Sequence, residues 1–462
     1  MGKATPWSIR GADLHDKTHL GGEASDGAAH ASAESWPPAG RAWFAVLLLM
    51  GALFMSTIDR SILALLVDPI KRSLHLSDTR IGLLQGAAFG LFFMLMTFPA
   101  GWLADRSNRM RVVAWGVALW SIVTALCGLC SSFTQLFMAR MGVAVGEAAL
   151  QPAAPSVIAD YFAPERRALP LSCYLVGAGM GAGVSLLAGG FVAGLVGRLH
   201  TAAVPVLAAF EPWQIIFFAV GLPGLLVSLL LCFAREPPRR EQQRTEGTLH
   251  ELLQALRARR AVLIPHFAGV CLYQIYTYGY VAWMPAYFMR RHGWTMIDVG
   301  LRYGVVQLTF PMAGAWAGGV LSRSLWRRGR RNANLLTGAL CFGAMTLPAI
   351  LGTLAPSAWA SALLLGLAMA CAQAPAGANT AAIQEIFPNR LRGRVTALYY
   401  ASIALSGMTG GPLMIGLLND HVFRSATGVG SSMSLTALLT LPLASALLFI
   451  AARRRMRLDS IN

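Results

Sequence analysis

The stretch Gly101-Trp-Leu-Ala-Asp105-Arg106-Ser-Asn108-Arg109-Met-Arg111 separates two long apolar runs with one carboxylate and three guanidinium groups. The flanking runs, near residues 81–100 and 112–131, are almost uncharged. Each is about 20 residues long, which is the length of a helix that crosses a bilayer. Because Lys and Arg accumulate in the cytoplasmic loops of membrane proteins, the stretch predicts a tight cytoplasmic loop between two spanning helices. That loop sets the predicted orientation of the whole chain.

The composition of the chain agrees with a membrane protein and excludes an ordinary soluble domain. Its 462 residues are 55% hydrophobic and 13% charged, and the mean hydropathy is +0.54, whereas soluble domains carry about 25% charged residues. The net charge of +17 does not indicate nucleic acid, because the arginines lie in short loops between apolar runs. We therefore expect a lipid bilayer around the chain and no nucleic-acid partner.

The seven cysteines predict packing roles and no disulfide framework, because their number is odd and almost all lie inside apolar segments. Cys127 and Cys130 form a Cys-x-x-Cys pair without a second pair or a nearby histidine, so a metal or redox role is the weaker interpretation. The chain also lacks the Gly-x-x-x-x-Gly-Lys-Ser/Thr loop of nucleotide-binding proteins. We expect no cofactor, no metal and no enzymatic activity.

About twelve apolar segments long enough to span a bilayer follow one another along the chain. They lie near residues 42–68, 81–104, 112–132, 134–159, 170–196, 211–234, 261–288, 297–322, 333–354, 357–385, 393–419 and 433–452. The arginines concentrate in alternate loops, which predicts a cytoplasmic position for those loops and for both termini.

A charged interruption over residues 235–260 divides these segments six and six. Its leucines recur at helical spacing beside arginines, which predicts a cytoplasmic linker with an amphipathic helix along the membrane surface; a plain linker helix is the alternative. The fold prediction is an all-α integral membrane protein of about twelve transmembrane helices in two six-helix bundles. Its parts are a disordered cytoplasmic tail over 1–41, a first bundle over 42–234, the linker over 235–260, a second bundle over 261–452 and a basic cytoplasmic tail over 453–462.

The two halves of the chain carry related loop sequences. Gly101-Trp-Leu-Ala-Asp-Arg, after the second apolar segment, has a counterpart in Gly318-Gly-Val-Leu-Ser-Arg after the eighth. Phe162-Ala-Pro-Glu-Arg-Arg, after the fourth, is matched by Phe387-Pro-Asn-Arg-Leu-Arg after the tenth. Such a repeat indicates a duplicated six-helix unit, and two such units describe a secondary transporter with its substrate site between them.

These motifs carry a resemblance to a known family. The first loop resembles the signature loop of the major facilitator superfamily, Gly-x-Leu-Ala-Asp-Arg-x-Gly-Arg, and departs from it at Asn108 and Met110. Within that superfamily the chain resembles the Spinster-like branch through Asp59-Arg60 in the first helix, the run 139–148 in the fourth and Asp160-Tyr-Phe after it. Anion:cation symporters share the Asp-Arg pair and the Arg…Gly-x-Glu pattern, so they remain the alternative branch.

Four ionisable residues, Asp59, Arg60, Arg140 and Glu147, lie inside the predicted spanning segments, where a charge is costly unless it faces a cavity or a partner. Asp59 and Arg140 fall at similar depth, counted at about 1.5 Å of rise per residue, which permits an ion pair. Glu147 lies two turns beyond Arg140 on the same face. We predict that both carboxylates bind coupling protons, while both arginines hold their charges and meet an anionic substrate. A permanent salt bridge that locks the helices is the alternative.

The resemblance also implies a mechanical role for the first loop, as a cytoplasmic gate built from Gly101, Asp105, Arg106, Arg109 and Asp160. Asp105 is expected to cap the eleventh helix, whose N-terminus carries a partial positive charge. Arg109 is expected to reach Asp160 at the inner end of the fourth helix. Together these contacts would close the cytoplasmic side. A plain basic loop that only sets topology is the alternative.

Aromatic side chains recur along the seventh segment at roughly helical spacing. Amphipathic rings suit a wall that contacts a substrate with both apolar and polar parts, and we predict that Tyr276 and Trp283 contribute to it. Packing between helices is the alternative. Gln274, Gln307 and Gln373 are polar residues well inside helices and are predicted to line a cavity.

The sequence thus predicts a secondary active transporter that works by alternating access. The resemblance implies that it moves an amphipathic or organic anion, of the lysophospholipid type, with protons as the coupling ion and sodium as the alternative. A symporter of small carboxylates and a non-transporting sensor on the same fold are the other hypotheses. The protein is expected to be a monomer in a bacterial inner membrane.

Overall fold

The computed structural model describes residues 36–201, 209–239 and 249–459, and every regular element in those ranges is helical. Most of the predicted tail over 1–41, residues 240–248 of the linker and residues 460–462 of the basic tail lie outside them. The described chain folds into long helical rods, labelled α1 to α12, and a shorter linker helix, Leu249–Ala258.

Each half of the protein contains six rods that pack mainly on one another. The first half comprises α1 (Ala39–Leu65), α2 (Asp78–Arg106), α3 (Arg109–Cys127), α4 (Phe133–Glu147 followed by Leu150–Tyr161), α5 (Ala168–Thr201) and α6 (Pro212–Phe233). The second half comprises α7 (Arg260–His292), α8 (Met296–Arg327), α9 (Ala333–Leu354), α10 (Ala358–Ile386), α11 (Asn389–Ala404, extended to Phe423) and α12 (Val429–Asp459). The halves meet along the pairs α2–α11, α5–α8 and α1–α7.

Nine of these rods are long and apolar enough to cross a membrane, counted over the described ranges. The other three, α4, α5 and α7, pack among them in the same bundles. Helix α4 carries the buried charges Arg140 and Glu147. Helix α7 is rich in tyrosine, and these polar hydroxyl groups lower the mean hydropathy of that helix. The prediction of an all-α membrane protein with about twelve helices in two six-helix bundles is confirmed.

Successive rods alternate in direction, so the start of α1 and the end of α12 lie at one end of the protein, called the terminal end below. The opposite end is called the far end. Side-chain caps help to begin the rods, because the first turn of a helix leaves N–H groups without partners. Asn108 accepts a hydrogen bond from the N–H of Arg111 at 2.9 Å. Asn108, one of the two residues that depart from the family signature, is therefore the N-cap of α3.

The buried apolar core is shared between the halves at the far end. There a single cluster includes Leu84 of the first half and Trp283 of the second. Two further clusters nearer the terminal end belong almost entirely to one half each. The halves are consequently joined at the far end and separate toward the terminal end.

The linker helix packs against the second half. Leu252 and Leu256 contact the apolar cluster of that half, while Leu253 is exposed. A position of this helix along the membrane surface stays a prediction.

Candidate functional site

A cavity of about 590 Å³ lies between the two halves and extends from Arg60 toward the terminal end. Helices α1, α2 and α4 form one wall, and α7, α10 and α11 form the other. Aromatic and amide side chains are prominent in its lining: Phe93, Phe98, Gln151, Tyr273, Gln274, Tyr278, Gln373, Asn379, Tyr399 and Tyr400. Among the described lining residues, Arg60 is the one that carries a charge. The cavity thus offers one cation to a ligand in otherwise neutral surroundings.

Arg60 pairs with Glu147 of the neighbouring helix α4. Its Nη2 and Nε atoms lie 2.6 and 2.7 Å from Glu147 Oε2, and Ser56, one turn earlier, donates to the same oxygen at 2.6 Å. The glutamate side chain is fully buried, whereas the arginine side chain is 29% exposed. Glu147 Oε1 has no hydrogen-bond partner among the described residues. The pair is therefore accessible on its arginine side.

The direct Asp59–Arg140 pair that equal depth permits does not form in the described structure. Asp59 Oδ2 instead accepts a hydrogen bond from Thr124 of α3 at 3.2 Å. The Nε and Nη1 atoms of Arg140 have no partner in the described ranges, and its guanidinium carbon lies 5.3 Å from the ring centroid of Phe89. The reason is angular, because successive residues of a helix are about 100° apart. Arg60 faces α4, so the adjacent Asp59 turns toward α3.

All four predicted charges nevertheless lie in one region of the first half. Three of them, Asp59, Arg140 and Glu147, are buried. The ring of Phe89 lies near both cations, with its centroid 4.7 Å from the guanidinium carbon of Arg60 and 5.3 Å from that of Arg140. The four formal charges sum to zero. Sequence reasoning missed Phe89, because nothing distinguishes it from the other apolar residues of its segment.

Tyr276 and Trp283 lie behind the cavity wall and not on its surface. Both side chains are fully buried, and the indole N–H of Trp283 donates to the Pro412 carbonyl of α11 at 2.9 Å. Tyr273 and Tyr278, on the same helix, line the cavity instead. Tyr276 follows Tyr273 by three residues, which leaves it about 60° short of a full turn, so the two rings point in different directions around the helix. A substrate contact for Tyr276 and Trp283 stays a prediction.

Of the three glutamines predicted to line the cavity, two do so and one does not. Gln274 and Gln373 line the cavity as expected, whereas Gln307 borders a separate small void near Ser61. Asn379, which sequence reasoning missed, also lines the main cavity, and its Oδ1 atom has no partner among the described residues. The sequence feature that could have identified Asn379 is a polar amide inside an apolar segment.

The signature loop forms a buried ion network at the terminal end of the first half. Arg109 Nη1 lies 2.6 Å from Asp160 Oδ2 and donates to Ser156 at 2.7 Å, so the expected contact between Arg109 and Asp160 is present. Arg109 Nε also donates to Glu236 Oε1 at 2.7 Å, and Glu236 Oε2 accepts the N–H of Met110 at 3.2 Å. Sequence reasoning missed Glu236, although it directly follows the sixth helix in an Arg-Glu-Pro-Pro run.

The other predicted gate residues do not reach the second half in this conformation. The Asp105 side chain is exposed and makes no ion pair or hydrogen bond with the described residues, so the expected cap of α11 is not formed. Its backbone carbonyl accepts from Arg239 of the linker, which also bonds the carbonyls that end α2. Arg106 stacks on Trp102, 4.3 Å from its ring centroid, and Gly101 packs near Pro152 of α4. The terminal end is open, and the gate role stays a prediction.

Comparison with known proteins agrees with this architecture. The family model of the Major Facilitator Superfamily matches residues 49–411. An MFS-type efflux pump of Mycolicibacterium smegmatis is 29% identical over 91% of this chain and 95% of its own length. A probable L-galactonate transporter of Escherichia coli is 25% identical over 83% and 84%. Protein spinster homolog 1 of Mus musculus is 27% identical over 84% and 74%.

A solved structure extends the match to three dimensions. A bacterial homolog of the human lysosomal transporter Spinster, in an inward-facing and unoccupied conformation, superposes with a TM-score of 0.79 at 26% identity. The match covers 90% of this chain and 98% of that one. The chain therefore belongs to the major facilitator superfamily of membrane transporters and, within it, to the Spinster-like branch.

Proposed function

We propose that this protein moves an amphipathic or organic anion, of the lysophospholipid type, together with protons by alternating access. In this proposal the terminal end faces the cytoplasm of a bacterial cell, because arginine-rich loops concentrate there. The observation that carries the proposal is Arg60, a cavity residue whose guanidinium is partly exposed while its partner Glu147 is buried.

The charge of Arg60 favours an anionic substrate. A guanidinium binds carboxylate and phosphate groups through paired hydrogen bonds. Arg60 already makes two such bonds to Glu147 Oε2, and a substrate anion that enters the cavity competes with that carboxylate. The guanidinium of Arg140, whose Nε and Nη1 atoms have no partner in the described ranges, lies 5.3 Å from the centroid of the Phe89 ring and brings a second positive charge to this region.

The shape and lining of the cavity favour an amphipathic molecule. A volume of about 590 Å³ lies within the range of sites for small organic ligands. The cavity wall includes Phe98 of α2 and Tyr400 of α11, which are 67% and 52% exposed. An apolar chain can therefore extend between these two helices while its anionic head group binds Arg60.

The buried carboxylate of Glu147 supports proton coupling. When a substrate anion takes Arg60, Glu147 loses its cation, and an unpaired carboxylate is costly in a dry protein interior. Protonation removes that cost, so substrate binding and protonation of Glu147 favour each other. Anion and proton then move in the same direction. Asp59, with Oδ1 unpartnered among the described residues, is the second proposed proton site.

Transport by the purified protein in liposomes tests this proposal. We expect an anionic lysolipid, added under an imposed pH gradient, to evoke proton flux that a pH-sensitive dye records inside the vesicles. Glu147→Gln mimics the protonated residue, so lysolipid still moves while the accompanying proton flux falls, and any flux that remains is assigned to Asp59. Asp298→Asn, at a half-buried carboxylate in a pair with Arg302 of its own helix, is the control and leaves both fluxes unchanged.

A small-carboxylate symporter is the second candidate. The similarity to a probable L-galactonate transporter and the amide side chains Gln151, Gln274 and Gln373 on the cavity wall favour a hydroxylated acid. Proton flux with a panel of sugar acids and none with lysolipid would establish this candidate instead. Neither flux nor binding with any of these compounds would indicate a non-transporting sensor.

A further inference from the structure

The second copy of the signature loop does not repeat the ion network of the first. The repeat that matches the loop after α4 to the loop after α10 also aligns Arg109 with Asn334 and Asp160 with Glu385. A neutral amide therefore replaces the guanidinium. Asn334 donates to Glu385 Oε1 at 2.6 Å and accepts from the Ser322 hydroxyl at 2.7 Å. Ser322 in turn stands where the first loop has a carboxylate. This region of the second half thus carries fewer charges than its counterpart.

Beside these residues an open groove of about 710 Å³ lies between α8 and α10, lined mainly by glycine and alanine. The two helices touch at Gly314 and Gly318, where an added Cβ would overlap backbone atoms of α10. At the adjacent Gly319, and at Gly377 of α10, an added Cβ would have no neighbour within 4 Å. Glycine inside a helix is less favourable than alanine. Helix packing explains Gly318 but not Gly319, which leaves space that no described protein atom uses.

The groove faces outward and has the length of one membrane leaflet. Along α8 its lining runs from Ala315 to Trp326, which is about 17 Å at 1.5 Å of rise per residue. Half of a typical hydrocarbon core is about 15 Å. Trp316 and Val320, which directly follow lining residues of α8, are exposed, so this side of the helix faces lipid in a membrane. The groove is therefore open to the acyl chains of the leaflet at the terminal end.

The part of the groove nearest the loop between α8 and α9 carries a cation. Arg323 lines the groove and makes no hydrogen bond or ion pair with the described residues. The exposed indole of Trp326 lies beside it, and tryptophan is typical of the membrane interface. Residues 328–331 add three arginines. Among the described lining residues Glu385 is the one acid, and it already accepts a hydrogen bond from Asn334. The local charge therefore favours an anion, and basic pockets between helices bind lipid head groups.

We propose that this groove binds a phospholipid with an anionic head group from the leaflet at the terminal end. Its phosphate accepts hydrogen bonds from Arg323, its glycerol backbone lies beside Trp326, and one acyl chain runs along Gly319 and Gly377. A free phosphate gains only the first of these contacts, so the intact lipid is the ligand. The site lies outside the central cavity, with α10 between them. The inference requires no particular substrate or coupling ion.

Native mass spectrometry of the purified, delipidated protein tests the head-group contact. The protein is titrated with phosphatidylglycerol or with phosphatidylcholine of the same acyl chains, and we expect the first to bind more tightly. Arg323→Gln is expected to lower the affinity for phosphatidylglycerol by roughly fivefold, the usual contribution of one basic side chain at an anionic membrane surface. Arg323→Lys retains part of that affinity. Arg106→Gln, at the corresponding exposed position of the first loop, is the matched control and retains all of it.

A larger side chain at Gly319 tests the acyl-chain contact. Leucine at this position points into open space, so we expect Gly319→Leu to keep the melting temperature of the lipid-free protein while it fills the groove and lowers the affinity for phosphatidylglycerol. The proposal is overturned if the parent protein binds both lipids equally, or if Arg106→Gln weakens phosphatidylglycerol binding as much as Arg323→Gln does. It is also overturned if Gly319→Leu binds phosphatidylglycerol as tightly as the parent.

Discussion

The guanidinium of Arg60 can bind one anion at a time, so Glu147 and a substrate anion compete for it. It bonds Glu147 through two nitrogens and faces Phe89 and Phe93 at 4.7 and 4.9 Å from their ring centroids. A lysine could reproduce the charge but not the planar, two-nitrogen contact. Charge and geometry at this position can therefore be separated by substitution.

We expect Arg60→Gln to lower the affinity for the transported anion by at least tenfold and Arg60→Lys to retain part of it, because only the lysine variant keeps a cation in the cavity. Binding to the purified protein, followed by a thermal shift or calorimetry, measures both. Arg302→Gln, a surface arginine paired within its own helix, is the matched control. Equal affinities for the glutamine variant and the parent would remove Arg60 from the binding site.

Arg109 is a second residue whose environment allows a sharp prediction. It is buried between Asp160 and Glu236, within 2.7 Å of both carboxylates. Removing one partner of a buried ion pair costs about 3–5 kcal/mol, because the other charge stays buried and uncompensated. Arg109→Leu leaves two such charges, and we expect a clear loss of thermal stability in detergent. Arg106→Gln changes an exposed neighbour and should leave the melting temperature within experimental error.

At the scale of helices, hydropathy was sufficient to predict where each long helix lies in the sequence. It was not sufficient to predict the interruptions and π-helical turns within the helices. The interruption of α2 at Gly86 and the π-helical turns of α11 at 405–410 depend on contacts between helices that are far apart in sequence. The contacts within the candidate site were likewise predictable only in part from the sequence. The Arg109–Asp160 contact followed from a family pattern, whereas Glu236 and the true partner of Glu147 depended on which way neighbouring side chains point around α1 and α6.

The glycines of α2 give a matched test of helix contact. Alanine favours a helix by about 1 kcal/mol over glycine, and Gly101 has room for a Cβ, since its nearest neighbour, on Pro152, would be 3.7 Å away. Gly82→Ala brings a Cβ to 2.6 Å from the Pro412 carbonyl, and such overpacking costs about 1–3 kcal/mol. We expect Gly101→Ala to maintain or raise the melting temperature and Gly82→Ala to lower it.

At the scale of the whole molecule, the described state is closed at the far end and open at the terminal end. The far-end core contains residues of both halves, and Arg290 joins α7 to Asp68 and Asp78 of the first half. The sequence predicted two six-helix bundles, but not which end would be joined, because hydropathy locates the helices and not the contacts between the bundles. Which end is closed depends on polar contacts such as those of Arg290 with Asp68 and Asp78, whose partners lie more than 200 residues apart in the sequence.

The orientation in the membrane can be tested on intact cells. The last residue of α8 is Arg327, the loop that follows it contains Arg328, Arg330 and Arg331, and positive loops are retained in the cytoplasm. A single cysteine at Arg331 is therefore expected to react with a membrane-impermeant maleimide only after the cells are opened. A single cysteine at Thr427, at the far end, is expected to react in intact cells once the outer membrane, where there is one, is made permeable. The reverse pattern would invert the proposed topology.

The charge cluster of the first half has an electrical consequence. Asp59, Arg60, Arg140 and Glu147 carry no net formal charge, and a monovalent anion that binds with one proton adds none. A membrane potential acts on net charge, at about 2.3 kcal/mol per elementary charge per 100 mV. Uptake of a monovalent anion should then be unaffected by a potassium diffusion potential, while a divalent anion carried with one proton should respond to it. The voltage dependence of uptake would count the protons that accompany each substrate.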